Sequence, residues 1–172
     1  KLRIIEFYRR NFGKIRSKET AFMSFTPHDL SIASFLTSTR KDIYKFLINM
    51  NSFYRNQNCY DMGVSKFLIN NVECYFNYSW ISPEKKRQVI LYFDKAIILF
   101  DDLKSWDEKI QIISSKKKII KSKRESLSRS FQPIYNISEP LELEIKTFLK
   151  SIEKNKRVEY TSIQDCIKLY KN

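Results

Sequence analysis

Three aspartates, Asp101, Asp102 and Asp107, follow the most apolar run of the chain, Ala96 to Phe100. Carboxylates grouped in this way supply the oxygen ligands that hold magnesium. A second group is cationic: Lys116, Lys117, Lys118, Lys121, Lys123 and Arg124 lie within nine positions, and Arg9, Arg10 and Arg16 near the start. Lysine and arginine at that density neutralise phosphates and release counterions. Other reactive patterns are missing. A single histidine, His28, excludes histidine pairs, and two isolated glycines, Gly13 and Gly63, build no phosphate loop. Cys59, Cys74 and Cys166 form an odd set without a C-x-x-C pair, which reads as reduced thiols in an intracellular, reducing compartment, with Cys74 and Cys166 on apolar helix faces.

The net charge of +13 is localised. Residues 1–18 hold seven basic residues and one acid, and residues 109–131 hold eight and one, while the remainder is near neutral. Both segments read as amphipathic helices. Leu2, Ile5, Phe12 and Ile15 form the apolar side of the first, and Ile113, Ile120, Leu127 and Phe131 that of the second. A basic helix of this kind suits nucleic acid first, and an anionic membrane surface second.

Few glycines and four prolines argue against turn-rich sheets and for helices joined by polar loops. Capping signals at Thr26-Pro27-His28-Asp29, Thr39, Ser65, Ser82-Pro83-Glu84, Ser138 and Thr161 predict an all-α fold of about seven or eight helices in one domain spanning 1–172. Residues 84–108 are expected to form one long helix, and 139–152 another, with acids early and bases late. No run reaches the length of a membrane span, and nothing at the start has signal-peptide character. A start at Lys1, not Met, leaves a removed segment open.

Residues 26–48 resemble the helix-turn-helix of bacterial and phage DNA-binding proteins. Ala33 takes the place of the small residue of the first helix, Thr37-Ser38 of the turn, and Ile43 and Leu47 of the buried positions of the second. The resemblance implies that Thr39, Arg40 and Lys41 meet the groove. Residues 82–108, with the acids of Phe100 to Glu108, are similar to the first aspartate-rich motif of class I terpenoid synthases and the helix before it, which implies magnesium on Asp101, Asp102 and Asp107. That family's second metal motif is absent here, and Lys104 intrudes in the first.

The sequence therefore predicts a non-enzymatic, nucleic-acid-binding subunit of a ribonucleoprotein or transcription assembly without a cofactor. RNA or DNA phosphates would be held by Arg9, Arg10, Arg16, Lys116, Lys117, Lys118, Lys121, Lys123 and Arg124. The alternatives are a magnesium-dependent helical enzyme and a scaffold meeting an acidic protein or an anionic membrane.

Overall fold

The computed structural model describes residues 1–13, 16, 18–38, 43–51, 60–114, 133 and 139–156. These residues are mostly strand. The elements are β1 (Leu2–Phe12), α1 (Ala21–Leu36), β2 (Ile43–Asn51), β3 (Met62–Ile69), β4 (Val72–Ser79), β5 (Ile81–Phe93), β6 (Ala96–Asp101), β7 (Ile110–Ser114) and α2 (Pro140–Glu153). Lys1–Pro133 and Ile134–Asn172 are separate compact units.

In the first unit seven strands form one mixed sheet in the order β2-β3-β4-β1-β5-β6-β7. β1 and β4 run parallel, and the other five pairings are antiparallel. The chain is thus α/β and not all-α, and its sheet differs from the doubly wound parallel sheet of dinucleotide-binding folds. In the second unit α2 carries Leu141, Ile145, Phe148, Leu149 and Ile152 exposed along one stripe, with Glu142 in its first turn and Lys150 in its last. This is the helix expected after Ser138.

One face of the sheet is covered by α1, which packs on β1, β3 and β4. Strict alternation places Ile5 and Phe7 of β1, Phe67 and Ile69 of β3, and Val72, Cys74, Phe76 and Tyr78 of β4 on that face, all buried. Leu30 and Ala33 of α1 close over them. The parallel register sets Phe7 opposite Phe76, and their rings stack at 4.8 Å, while Phe67 meets Phe76 edge-on at 5.2 Å. Burial of three aromatic rings in contact supplies a large share of the core's hydrophobic stabilisation.

The helices expected elsewhere are strands for identifiable reasons. The amphipathic start, Leu2 to Phe12, alternates with period two and forms the central strand β1. Ser65, read as a helix cap, is buried in the middle of β3, and Leu68, Val72 and Phe76 belong to the β3–β4 hairpin. That hairpin turns on Asn70 and Asn71, both with positive φ (49° and 60°). Asparagine tolerates the left-handed region, so the tight turn forms without glycine. Asn70 is further fixed by donating from Nδ2 to the Thr37 carbonyl at 2.8 Å. Asn71→Gly is therefore expected to stabilise the unit by on the order of 0.5 kcal/mol, read as a higher denaturant midpoint at unchanged slope.

Residues 84–108 contain most of β5, all of β6 and the turns around them. Pro83 lies where the β1–β5 register shifts, between the pairs Arg10–Lys86 and Phe12–Ile81, so no ladder hydrogen bond is lost to it. The second helix of the helix-turn-helix is overturned as well: Ile43 and Leu47 lie on strand β2. The stop at Thr37-Ser38 is present, with Thr37 as C-cap of α1 and Ser38 at φ 55°. The cap at Thr26-Pro27 is not: α1 starts at Ala21, and Thr20 Oγ1 accepts from the Met23 amide at 3.1 Å. The segments holding Thr39, Arg40, Lys41, Lys116, Lys117, Lys118, Lys121, Lys123, Arg124, Cys59, Cys166 and Thr161 lie outside the described residues. No helix among the described residues is long and apolar enough to cross a membrane.

Cys74 lies on strand β4 rather than on a helix face, and burial pushes its thiol up to about 12. Because the thiolate is the nucleophile, Cys74 is inert in the native state near neutral pH. Mass mapping after iodoacetamide treatment should show Cys74 unlabelled until denaturant unfolds the sheet.

Candidate functional site

β1 and β4 are parallel, and open α/β sheets present ligands at the carboxyl ends of such strands. At that end the chain leaves β1, makes its connection and enters α1. Three backbone bonds hold the region together: Gly13 N–H donates to the Trp80 carbonyl at 2.9 Å, Trp80 N–H to the Asp61 carbonyl at 2.8 Å, and Ala21 N–H to the Tyr60 carbonyl at 2.8 Å. The start of α1 is thereby tied to the segment between β2 and β3, and the end of β1 to the end of β4. Aromatic rings fill the corner: Phe22 meets Tyr78 edge-on at 5.7 Å and Phe25 meets Trp80 at 6.3 Å.

A buried ion pair lies under the middle of α1. Arg9 Nε donates to Asp29 Oδ1 at 2.7 Å, the Arg9 side chain being 26% exposed and that of Asp29 5%. Burial dominates for Asp29 and pushes its carboxyl up to about 6, although the Arg9 guanidinium opposes that rise. The next residue back, His28, is exposed on α1. The ion pair thus fixes the helical turn that presents the chain's single imidazole, the side chain best suited to move protons near neutral pH. Nearby polarity is not fully used: the buried hydroxyls of Thr26 and Tyr78 have no hydrogen-bond partner among the described residues. Burial raises the Tyr78 phenol, which stays a neutral O–H donor.

The described members of the expected phosphate-ligand set, Arg9, Arg10 and Arg16, do not form one cationic surface. Arg9 is committed to Asp29, and Arg10 Nε donates to Asn77 Oδ1 at 2.9 Å. They are consecutive on a strand and point to opposite faces. Arg16 pairs with Glu19 and lies over the Trp80 ring at 6.0 Å. The aspartates also have other employment. Asp101 Oδ2 accepts from Gln88 Nε2 at 2.8 Å, and its Oδ1 accepts the Leu103 amide at 3.1 Å. Asp102 accepts from Lys109 Nζ at 2.8 Å, and hydrogen bonding to Ser105 lowers the Asp107 carboxyl. Among the described residues no group of three or more His, Cys, Asp or Glu side chains could hold a metal ion. The magnesium reading falls on this geometry, and the terpenoid-synthase resemblance falls with the helix that carried it.

Asp29, Asp61, Tyr78 and Trp80 were not legible as site residues, because they meet only through the β1–β4 pairing. For His28 the available signal was its uniqueness.

No protein-family model and no curated protein sequence matches the chain. Solved structures do match it along nearly its whole length. UDP-N-acetylglucosamine 3-dehydrogenase from Acidithiobacillus ferrooxidans is 17% identical with a TM-score of 0.73, covering 99% of this chain and 51% of that one. A 3-ketoreductase from Actinomadura kijaniata, in complex with TDP-benzene and NADP, is 8% identical with a TM-score of 0.72, covering 98% and 49%. A dehydrogenase from Clostridium difficile is 14% identical with a TM-score of 0.70, covering 99% and 52%. The chain shares its fold with part of each of these oxidoreductases and spans about half of their length. This likeness, with the sheet itself, overturns the readings of a helix-turn-helix protein, a nucleic-acid-binding module, a non-enzyme and a cofactor-free or magnesium-dependent chain.

Proposed function

We propose that this chain is one half of a nicotinamide-dependent oxidoreductase that acts on a sugar or nucleotide-sugar carbinol or ketone, and that it is the half that does not cradle the dinucleotide. The observation that carries this reading is the fold match over 98–99% of the chain to about half of a dehydrogenase and of a ketoreductase.

The residues present do not fit the cofactor's pyrophosphate. A dinucleotide cradle uses a three-glycine turn between a strand and a helix, where backbone N–H groups approach the phosphates. This chain has two glycines, neither with positive φ. Gly63 lies inside β3, and a Cβ added to Gly13 would meet the Asn11 side chain at 2.6 Å, with no phosphate-shaped space implied. The cofactor is therefore assigned to groups other than those described. What this chain supplies is the substrate side: His28 as the group that takes or gives the proton of the hydroxyl undergoing redox chemistry, and the Arg9–Asp29 pair as the support of its helix. Tyr78 and Thr26 add polar capacity beneath that helix.

The test is an absorbance assay of nicotinamide reduction by the gene product as expressed, run with NAD and NADP against UDP- and TDP-linked hexoses. Turnover with a nucleotide sugar is expected. Absence of both cofactor binding and turnover across that panel would overturn the proposal.

A further inference from the structure

α1 covers only part of its own side of the sheet. It packs on β1, β3 and β4, and the same face continues past it over β5, β6 and β7. Register places Val89 and Leu91 of β5, Ile98 and Phe100 of β6, and Ile110 and Ile112 of β7 on that strip, all half-buried. Small-molecule sites are lined in this way, by apolar side chains with a few polar groups that fix orientation.

Two guanidinium groups stand at the end of the strip. Arg9 of β1 and Arg87 of β5 are direct cross-strand partners, so both side chains lie on the α1 side, with Cβ atoms about 5 Å apart. Like charges set directly opposite destabilise a sheet. Neither arginine has its hydrogen-bonding capacity filled. Arg9 reaches Asp29 through Nε alone, and its terminal nitrogens carry no hydrogen bond among the described residues. Arg87 Nη1 is 3.9 Å from Asp102, beyond hydrogen-bond distance, and that carboxylate already accepts from Lys109 Nζ at 2.8 Å. The Lys109 ammonium is itself held by the Trp106 ring, 4.6 Å from its centre. The group thus sets three cations (Arg9, Arg87, Lys109) against two carboxylates (Asp29, Asp102) and keeps a positive excess.

We infer that Arg9 and Arg87 form an anion site for the diphosphate of a nucleotide-linked hexose. The inference rests on the substrate class proposed above and adds the residues that recognise its charged part. Each guanidinium offers a planar fork that matches a pair of phosphoryl oxygens, and two forks side by side match the two phosphoryl groups of a diphosphate. Asp29 orients Arg9 from beneath α1, and the Asp102 carboxylate draws Arg87 toward the β6–β7 turn. Asp29 follows His28 in the chain, so the anion site and the imidazole depend on one turn of α1. The apolar strip beside the arginines lowers the local dielectric and strengthens their attraction for an anion. A long polyanion is not matched, because Arg10, the next residue of β1, lies on the other face and bonds Asn77.

The test is calorimetric titration of the gene product as expressed with the UDP- and TDP-linked hexoses of the turnover assay, and with NADP for comparison. The Arg87 side chain is 51% exposed, so its replacement leaves the core intact. Arg87→Met should raise Kd for a sugar nucleotide by about 10–100-fold, and Arg87→Lys should recover only part of the loss, since an ammonium has no fork. The NADP affinity should be the same in all three proteins. Arg3→Met removes an equal charge from an exposed ion pair with Asp94 and should change Kd for the sugar nucleotide by less than about twofold. Sugar nucleotides that bind Arg87→Met as tightly as wild type would overturn the inference while the proposed function stands. Equal weakening by Arg87→Met and Arg3→Met would overturn it too, by reducing the effect to net charge. A wild type that neither binds nor turns over any sugar nucleotide of the panel would overturn both.

Discussion

Arg9→Met lowers the stability of the sheet unit by about 3–5 kcal/mol near neutral pH, because it strands a carboxylate beneath α1 whose side chain is only 5% exposed. The cost is asymmetric. The methionine keeps most of the arginine's apolar stem against the sheet, so the loss reports the unpaired Asp29 rather than lost packing. The pH dependence identifies the cause. Asp29 titrates at about 6 in the folded protein against an ordinary value of 3.8. Between those values the native state binds a proton that the unfolded chain does not. The contribution of this group is therefore fully present below about pH 4 and declines as pH rises through about 6, by on the order of 2–3 kcal/mol. In Arg9→Met the decline deepens and extends to higher pH, and in Asp29→Asn it disappears. Denaturant melts of the three proteins at several pH values separate these outcomes. A wild type and Asp29→Asn pair with parallel pH profiles would exclude the buried carboxyl as their source.

On the proposed function, His28→Ala is expected to reduce turnover by about 10²–10⁴-fold, the usual contribution of a positioned acid–base group. The chain contains one histidine, exposed on α1, and the buried pair one residue on holds its turn in place. Two features distinguish proton transfer from a structural role. His28 is exposed, so the alanine variant should unfold at the wild-type denaturant concentration. Its loss should fall mainly on kcat, with KM for the sugar nucleotide changed far less. An unaltered kcat would remove His28 from the chemistry and leave α1 as a packing element alone.

The charge was legible as two local segments, and so were the end of α1 at Thr37-Ser38 and the helix after Ser138. The sheet was not. Scarcity of glycine argued against hairpins, yet Asn70 and Asn71 make the β3–β4 turn with positive φ unaided. The apolar run of β6 lacks alternation because neither of its faces is polar, and a continuous apolar run has no period from which strand can be told from helix. β1 was read with period 3.6 because Leu2, Ile5 and Phe12 fit a helical stripe as well as a strand. Its real partner, β4, lies some 70 residues away and leaves no local mark. The Arg9–Asp29 pair is hidden for the same reason: in the sequence Arg9 reads as a phosphate ligand and Asp29 as the third-position acid of a capping signal, and only the β1–α1 return brings them within 2.7 Å.

In the proposed function, residues 1–172 form the substrate side of a nicotinamide enzyme while the dinucleotide is cradled elsewhere. A crystal structure of the gene product as expressed, grown with NADP, tests it most directly. The pyrophosphate is expected on groups other than residues 1–172. A pyrophosphate seated on the strands or turns of this sheet would contradict it.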